Sequence, residues 1–104
     1  MKLDRALGAL QNAVHESATA LAIRVYLAVA ANEGSSVSEV ARITRLPLST
    51  ASRVLLDLGV QNRDKGKGFG LVEVKPDPHD LRVKRYYLTQ DGLRAFNAIL
   101  EKLK

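Results

Sequence analysis

The sequence predicts a mainly α domain with one small β-hairpin near its C-terminal end, an α+β arrangement. Apolar residues recur at helical spacing through most of the chain, and a polar, glycine-rich stretch breaks that pattern after residue 59. Two short segments rich in Val, Leu and Tyr follow the break and have the composition of strands. The 104 residues are enough for one domain, residues 1–104, and the absence of cysteine indicates a reducing, cytoplasmic setting.

The net charge is positive and unevenly distributed. The chain has 16 Lys and Arg against 11 Asp and Glu, which gives a formal charge of +5. Residues 61–87 hold seven of the basic side chains and four of the acidic ones. A polyanionic partner is therefore expected, with nucleic acid favoured over an acidic membrane surface.

The longest apolar stretch, residues 18–31, is expected to lie inside the domain. It is shorter than the roughly 20 residues that a membrane-spanning helix needs. The segment before it has mixed polarity and acidic residues, unlike a secretory signal. We therefore expect neither a transmembrane helix nor a signal peptide.

The N-terminal third of the chain predicts two helices. The first has an apolar stripe at helical spacing, formed by Leu3, Leu7, Leu10 and Val14. The second, capped by Ser17 or Thr19, is apolar nearly all round and is therefore expected to be buried. Its apolar residues are Leu21, Ile23, Val25, Tyr26, Leu27 and Val29. It should end at residues 32–34, Asn-Glu-Gly.

A helix-turn-helix is predicted over residues 36–58. Ser36 and Glu39 have the spacing of a capping box, in which each side chain satisfies a free backbone N–H of the first helical turn. A turn over residues 44–47 follows this short helix. The next helix runs from about Pro47 to Leu58, because proline is tolerated in a first helical turn. Its expected buried residues are Ala51, Val54, Leu55 and Leu58.

A β-hairpin is predicted over residues 69–88. The polar loop after Gly59 cannot continue the helix. Residues 69–75 and 81–88 read as two strands, and they flank the turn segment Pro-Asp-Pro-His-Asp at residues 76–80. Thr89 then caps a last helix, whose apolar side consists of Leu93, Phe96, Ile99, Leu100 and Leu103.

This order of elements is typical of a winged helix-turn-helix. The helix after the tight turn enters the major groove of DNA, and the hairpin reaches the minor groove and the phosphates. Small hydroxyl side chains at the exposed start of that helix let the backbone approach, and Arg53 is able to contact guanine through two hydrogen bonds. The alternative for Arg53 is a solvated surface charge. The DNA-binding residues expected on this helix are Leu48, Ser49, Thr50, Ser52 and Arg53.

Specific segments resemble the MarR family of bacterial transcription regulators. Residues 37–58, VSEVARITRLPLSTASRVLLDL, look like that family's helix-turn-helix. Residues 70–73 (GLVE), 77–82 (DPHDLR) and 88–92 (LTQDG) are similar to its wing and to the start of the helix behind it. The matching region spans about 70 of the 104 residues. The hairpin of residues 69–88 would then be the wing.

The resemblance implies roles for the wing and for the chain. In that family a wing carboxylate holds the guanidinium that enters the minor groove, so Asp80 would orient Arg82. Residues two apart on a strand face the same side, which permits this pairing. Its alternative is an ordinary surface ion pair. The resemblance further implies a regulator, by family habit a repressor, that binds palindromic double-stranded DNA as a homodimer. The apolar stripes of the flanking segments 1–17 and 89–104 are too apolar to leave exposed on a small domain, so we expect these segments to form the dimer contact.

Other basic residues divide between phosphate contacts and solvated charges. Lys75, Lys84 and Arg85 on the predicted strands are expected phosphate contacts. The chain also inserts a basic loop, around residues 61–69, where the family has a shorter connection. Its cations, Arg63, Lys65 and Lys67, either contact the DNA backbone or are solvated. The long C-terminal helical pair of the family is reduced here to one short helix, so the family's effector pocket does not carry over to this sequence and the effector stays unknown.

Catalytic and cofactor chemistry is not expected. The glycine-rich residues 66–70 lack the preceding strand and the following Lys-Ser/Thr helix start of a phosphate-binding loop. His15 and His79 lie far apart, and their spacing is not that of metal ligands. No nucleophile with an adjacent base can be assembled. The sequence therefore predicts no enzyme, no cofactor and no metal.

Two other functions stay open at this point. Winged helices also serve as protein-interaction modules, in which the basic hairpin would only be solvated. An RNA-binding winged helix is compatible with the charge as well. The concentration of positive charge and the spacing of Asp80 and Arg82 favour duplex DNA.

Overall fold

The computed structural model describes residues 20–60, 66 and 68–103. The elements within these residues are α1 (Ala20–Ala31), α2 (Val37–Thr44), α3 (Leu48–Leu58), β1 (Val72–Asp77), β2 (Asp80–Leu88) and α4 (Gln90–Leu103). The predicted α+β winged helix-turn-helix is confirmed. None of the helices in this part of the chain is long and apolar enough to cross a membrane. Three predicted features lie outside the described residues. They are the helix at residues 3–14, the capping residues Ser17 and Thr19, and the loop cations Arg63, Lys65 and Lys67.

The central helix, α1, carries the largest share of the core. Val25, Tyr26 and Val29 are fully buried, as the apolar pattern predicts. Leu27, which the same pattern predicts to be buried, is 37% exposed. The elements that pack on α1, namely α2, α3 and β2, cover its other residues and leave the side with Leu27 open. The helix ends at Ala31, where the side-chain amide of Asn32 donates to the Ala28 carbonyl at 3.0 Å.

The predicted capping box starts α2. The Ser36 hydroxyl accepts from the Glu39 backbone N–H at 3.3 Å, and the Glu39 carboxylate accepts from the Ser36 N–H at 3.1 Å. The helix ends at Arg45, which adopts the left-handed conformation with φ 59°. The guanidinium of Arg24 on α1 donates to the Thr44 carbonyl and so ties the end of α2 to the core.

The second helix of the helix-turn-helix, α3, runs from Leu48 to Leu58, which agrees with the predicted span from about Pro47 to Leu58. Ala51, Leu55 and Leu58 are buried at helical spacing, and they pack this side of α3 against α1 and α2. Because the buried residues occupy one side, the opposite side and the start of the helix face solvent.

The chain after the loop returns along the end of α3 rather than entering a strand at Phe69. The Phe69 N–H donates to the Asp57 carbonyl at 3.1 Å, and the Leu71 N–H donates to the Leu58 carbonyl at 2.9 Å. A Cβ on Gly68 would lie 2.1 Å from the Gly59 carbonyl oxygen, so this approach needs glycine. The predicted start of the first strand at Phe69 is therefore wrong by three residues, because these backbone groups already bond to α3.

The wing is an antiparallel pair, β1 and β2, with Val72 opposite Leu88 and Lys75 opposite Arg85. Strand β1 ends at Asp77, two residues later than predicted, and β2 begins at Asp80, one residue earlier than predicted. Pro78 and His79 form the turn between them. The segment before α2 pairs with the other edge of β2 through a bridge between Ser35 and Tyr86. The wing is thereby joined to the helix-turn-helix at its root.

The last helix, α4, is capped by Thr89 as predicted, since its hydroxyl accepts from the Gly92 N–H at 2.9 Å. The buried Tyr26 hydroxyl donates to the Gly92 carbonyl. A Cβ on Gly92 would lie 2.0 Å from the Leu71 carbonyl oxygen, so the start of α4 can approach this backbone only with glycine there. Ala95 and Ile99 join the core, whereas Leu93 and Leu100 remain exposed.

Candidate nucleic-acid interface

The exposed start of α3 presents the side chains that the sequence singled out. Leu48 is 54% exposed, and Ser49, Ser52 and Arg53 also face solvent. Thr50 is half-buried. Ser49 and Arg53 lie on the side of α3 away from its buried residues, and Leu48 is exposed because it is the first residue of the helix.

The Arg53 guanidinium has no hydrogen-bond or ion-pair partner within residues 20–60, 66 and 68–103. A guanidinium offers five N–H donors in a planar fork that matches the two acceptors of a guanine edge. No intramolecular bond among the described residues must therefore break before Arg53 contacts a base or a phosphate.

The wing pairs Asp80 with Arg82 as expected. The Arg82 Nε and Nη2 donate to the two carboxylate oxygens of Asp80 at 3.1 and 3.2 Å, and the Arg82 backbone N–H donates to the same carboxylate at 3.1 Å. These bonds to Arg82 hold the pKa of Asp80 below its ordinary value. The Arg82 side chain is 91% exposed. The carboxylate thus orients a guanidinium that remains open to solvent.

Lys75 and Lys84 occupy different surroundings on the two strands. Lys75 lies 3.2 Å from the Glu73 carboxylate and 5.2 Å from the centre of the Tyr87 ring, so its ammonium is oriented by a charge and by a π-face. Lys84 is exposed, and within the described ranges no carboxylate pairs with it. Of the two, Lys84 is the freer cation for a phosphate.

Arg85 bonds to three parts of the protein. Its Nε donates to Asp77 at 2.7 Å, and its Nη1 donates to the Gly34 carbonyl at 2.9 Å and to the Glu39 carboxylate at 3.3 Å. The first of these bonds contributes most to raising the pKa of Arg85. The phosphate contact that the sequence predicts for Arg85 stays a prediction, and the structure adds an internal network that the sequence did not indicate.

Helix α3 and the wing flank one open groove of about 620 Å³. One wall includes Ser52 and Leu56 of α3, and the other includes Val74 and Lys84 of the wing. Ser52 of α3 and Lys84 of the wing therefore border the same groove, so one elongated polyanion is able to contact both.

Two exposed arginines of the helix-turn-helix, Arg42 and Arg45, are not among the site residues predicted from the sequence. Arg42 and Arg45 are exposed at the end of α2, next to the turn that leads into α3. Arg45 takes the left-handed conformation that L-residues other than Asn and Asp seldom adopt. The sequence held a signal for this conformation, because helices commonly end on a left-handed residue one or two positions before a proline, and Arg45 stands two positions before Pro47.

Burial shifts the pKa of two tyrosines, Tyr26 in the core and the half-buried Tyr86 on β2. Burial raises the pKa of Tyr26 to about 12, and burial also raises the pKa of Tyr86. Both phenols therefore remain protonated at neutral pH. Within the part of the chain that the structure describes, no group of three or more His, Asp or Glu is placed to hold a metal ion.

Comparison with solved structures identifies the architecture. The PcaV transcriptional regulator of Streptomyces coelicolor, solved with its natural ligand, is 29% identical over 97% of this chain, with a TM-score of 0.67. A MarR-like transcriptional regulator from Thermotoga maritima is 26% identical over 84% of the chain, with a TM-score of 0.67. A Mycobacterium tuberculosis protein is 17% identical over 97% of the chain, with a TM-score of 0.77.

This chain covers only part of each of those proteins, namely 67%, 56% and 63% of their lengths in the same order. No protein-family model matches the sequence, and no curated protein matches it significantly.

Proposed function

We propose that this chain, which has the MarR-like winged helix-turn-helix fold, is a sequence-specific, double-stranded DNA-binding transcription regulator that acts as a homodimer on a palindromic site. The observation that carries the proposal is the groove between α3 and the wing, because exposed Ser52 of α3 and exposed Lys84 of the wing both line it. A repressor is the form that the resemblance favours.

In the proposed complex, α3 lies in the major groove and the wing reaches the neighbouring minor groove. Arg53 reads guanine, and the small side chains of Ser49 and Ser52 allow the helix to approach the bases and phosphates. Arg82 enters the minor groove, held in place by Asp80. The pairing supports this role, because the guanidinium is oriented and is also 91% exposed.

The remaining proposed contacts are to phosphates and are independent of sequence. Lys84, Lys75 and Arg85 are the wing candidates. Leu48 and Thr50, at the start of α3, are proposed to contact the DNA as well. Lys75 is already paired with Glu73 and Lys84 is not. We therefore expect Lys84 to contribute more to the electrostatic part of the affinity than Lys75.

A homodimer is proposed from apolar surface. Leu93 and Leu100 of α4 are 48% and 43% exposed, although they lie on the side that includes Phe96 and Leu103. A second subunit would cover them. Since each subunit supplies one helix and one wing, we expect two half-sites about 10 bp apart centre to centre. Sedimentation that gives only an 11.4 kDa species at micromolar concentration would contradict the dimer.

Selection from random duplex DNA tests the proposal. The purified protein is incubated with a random duplex pool, and the retained fragments are sequenced after several rounds. We expect enrichment of one inverted repeat, with binding that a scrambled duplex of equal length and composition does not reproduce. Retention without enrichment of any sequence contradicts specific recognition. Absence of retention at low salt favours the protein-interaction module instead.

A further inference from the structure

The side chain of Arg85 joins the wing to the helix-turn-helix. It extends from β2 and bonds to Asp77 at the end of β1, to Gly34 in the segment before α2, and to Glu39 inside α2. Its side chain is 35% exposed, while that of Asp77 is 13% exposed. Glu39 and Gly34 lie 46 and 51 positions from Arg85 in the sequence, so the bonds to them connect the wing to the helix-turn-helix. The bridge between Ser35 and Tyr86 joins the same two parts at the root of the wing.

Each carboxylate in this network has a second structural task. Asp77 accepts from the His79 backbone N–H at 2.7 Å, which closes the turn at the tip of the wing. Glu39 accepts from the Ser36 N–H and completes the capping box of α2. These backbone bonds contribute most to holding the pKa of Asp77 and of Glu39 below their ordinary values. Arg85 therefore bonds the wing turn and the start of α2 through a single planar group.

We propose that Arg85 is a positioning residue that fixes the wing against the helix-turn-helix, so that Arg82 and α3 reach the same DNA duplex together. The inference rests on the proposed function. Fixing the wing before binding reduces the conformational freedom that association must remove. Without the network the wing stays attached at the Ser35–Tyr86 bridge, and its tip gains freedom relative to α3.

The network also allows a test against a direct phosphate contact by Arg85. Asp77→Asn and Glu39→Gln each remove one negative charge from the DNA-facing part of the protein. Asparagine keeps an acceptor for the His79 N–H and loses the oxygen that accepts from Arg85 Nε. Glutamine keeps the capping box, and the same oxygen still accepts from Arg85, so Glu39→Gln removes only the charge. If Arg85 binds a phosphate, Asp77→Asn frees its guanidinium and tightens binding. If Arg85 positions the wing, Asp77→Asn weakens binding to the selected site, and Glu39→Gln weakens it less.

The first measurement is affinity for the selected duplex, with the flanking minor groove varied while the half-sites stay fixed. We expect Arg85→Gln to weaken binding on the order of tenfold in the dimer and to reduce the discrimination between flanks. Partial unfolding cannot imitate this result, because it lowers the affinity for every flank by one factor. In the background of Arg85→Gln, Asp77→Asn should add little further loss.

The matched control is Lys84→Ala, which removes a neighbouring cation that pairs with no carboxylate in the described ranges. Lys84→Ala should make the slope of log affinity against log salt shallower by about 2 in a dimer, whereas Arg85→Gln should leave the slope unchanged. Tighter binding by Asp77→Asn, or a slope change for Arg85→Gln equal to that of Lys84→Ala, overturns the positioning role.

Amide hydrogen exchange of the free protein separates this inference from the proposed function. Arg85→Gln should accelerate exchange in residues 74–84 and leave α4 protected as in the parent. If the parent binds no duplex, the proposed function fails, and faster exchange in the wing still supports Arg85 as the residue that fixes it. Unchanged exchange in the wing overturns that role whatever the DNA result.

Discussion

The substitution Asp80→Asn distinguishes an oriented wing arginine from an ordinary surface charge. It removes the negative charge and the oxygen that accepts from Arg82 Nη2 at 3.2 Å, it keeps one oxygen as an acceptor for Nε, and it leaves Arg82 itself in place. Simple electrostatics predicts tighter DNA binding, since a negative charge near the phosphates is lost. Orientation predicts weaker binding, since Arg82 must then be ordered as the complex forms.

The magnitude follows from exposure and symmetry. Arg82 and Asp80 are 91% and 41% exposed, so screening by solvent leaves their ion pair only a small contribution to folding stability. Ordering one long side chain on binding costs about 0.5–1.5 kcal/mol, and a dimer orders two. We therefore expect an affinity loss of about 1–3 kcal/mol, roughly 5- to 150-fold, with little change in Tm.

Fluorescence anisotropy with the selected duplex at one fixed salt concentration measures this loss, and thermal unfolding measures the Tm. Asp91→Asn is the matched control, because Asp91 also pairs with an exposed arginine, Arg94 at 3.2 Å, but lies on α4. The control should bind like the parent. Binding by Asp80→Asn that equals or exceeds that of the parent would refute the orienting role.

Three further predictions concern recognition, packing and acid stability. Arg53→Ala should cost about 1–3 kcal/mol on the selected site and relax the preference at one base pair per half-site, as competition with single-base variants will show. Gly92→Ala should lower the Tm, at a cost of about 1–3 kcal/mol, because its Cβ meets backbone at 2.0 Å, while the exposed control Asn97→Ala should leave the Tm near that of the parent. The lowered pKa values of Asp77 and Glu39 mean that the folded state favours their ionised forms. Their contribution to folding stability is therefore fully present above the unfolded pKa values, about 3.9 for Asp and 4.3 for Glu, and it is lost as the pH falls through the lower folded pKa values. The double variant Asp77→Asn with Glu39→Gln should lose less Tm on acidification than the parent, as thermal melts over a pH series will show.

Local signals in the sequence were enough to predict the order of elements. Ser36 and Glu39 are three residues apart, so the capping box and the start of α2 could be predicted without tertiary information. Thr89 before Gly92 likewise located the start of α4. Such bonds close within one helical turn, which is why their spacing is visible in a single sequence.

Features that depend on distant partners could not be predicted in the same way. Phe69 has strand composition, but its N–H donates to Asp57 at the end of α3, so the strand begins later. The basic character of Arg85 pointed to a phosphate, whereas its partners Gly34 and Glu39 lie 51 and 46 positions away. Side-chain composition sets what a residue is able to bind, and only the packed chain determines which partner lies within reach.

The salt dependence of duplex binding tests the central claim most directly. Three or four cations per subunit at phosphates, among them Lys84 and Lys75, correspond to about 6 to 8 phosphates per dimer. The selected duplex should then give a slope of about −5 to −7 in log affinity against log salt, and it should bind more tightly than a scrambled duplex throughout the series. A dimer whose affinity for every duplex is independent of salt would contradict a DNA-binding regulator and favour a protein-interaction module.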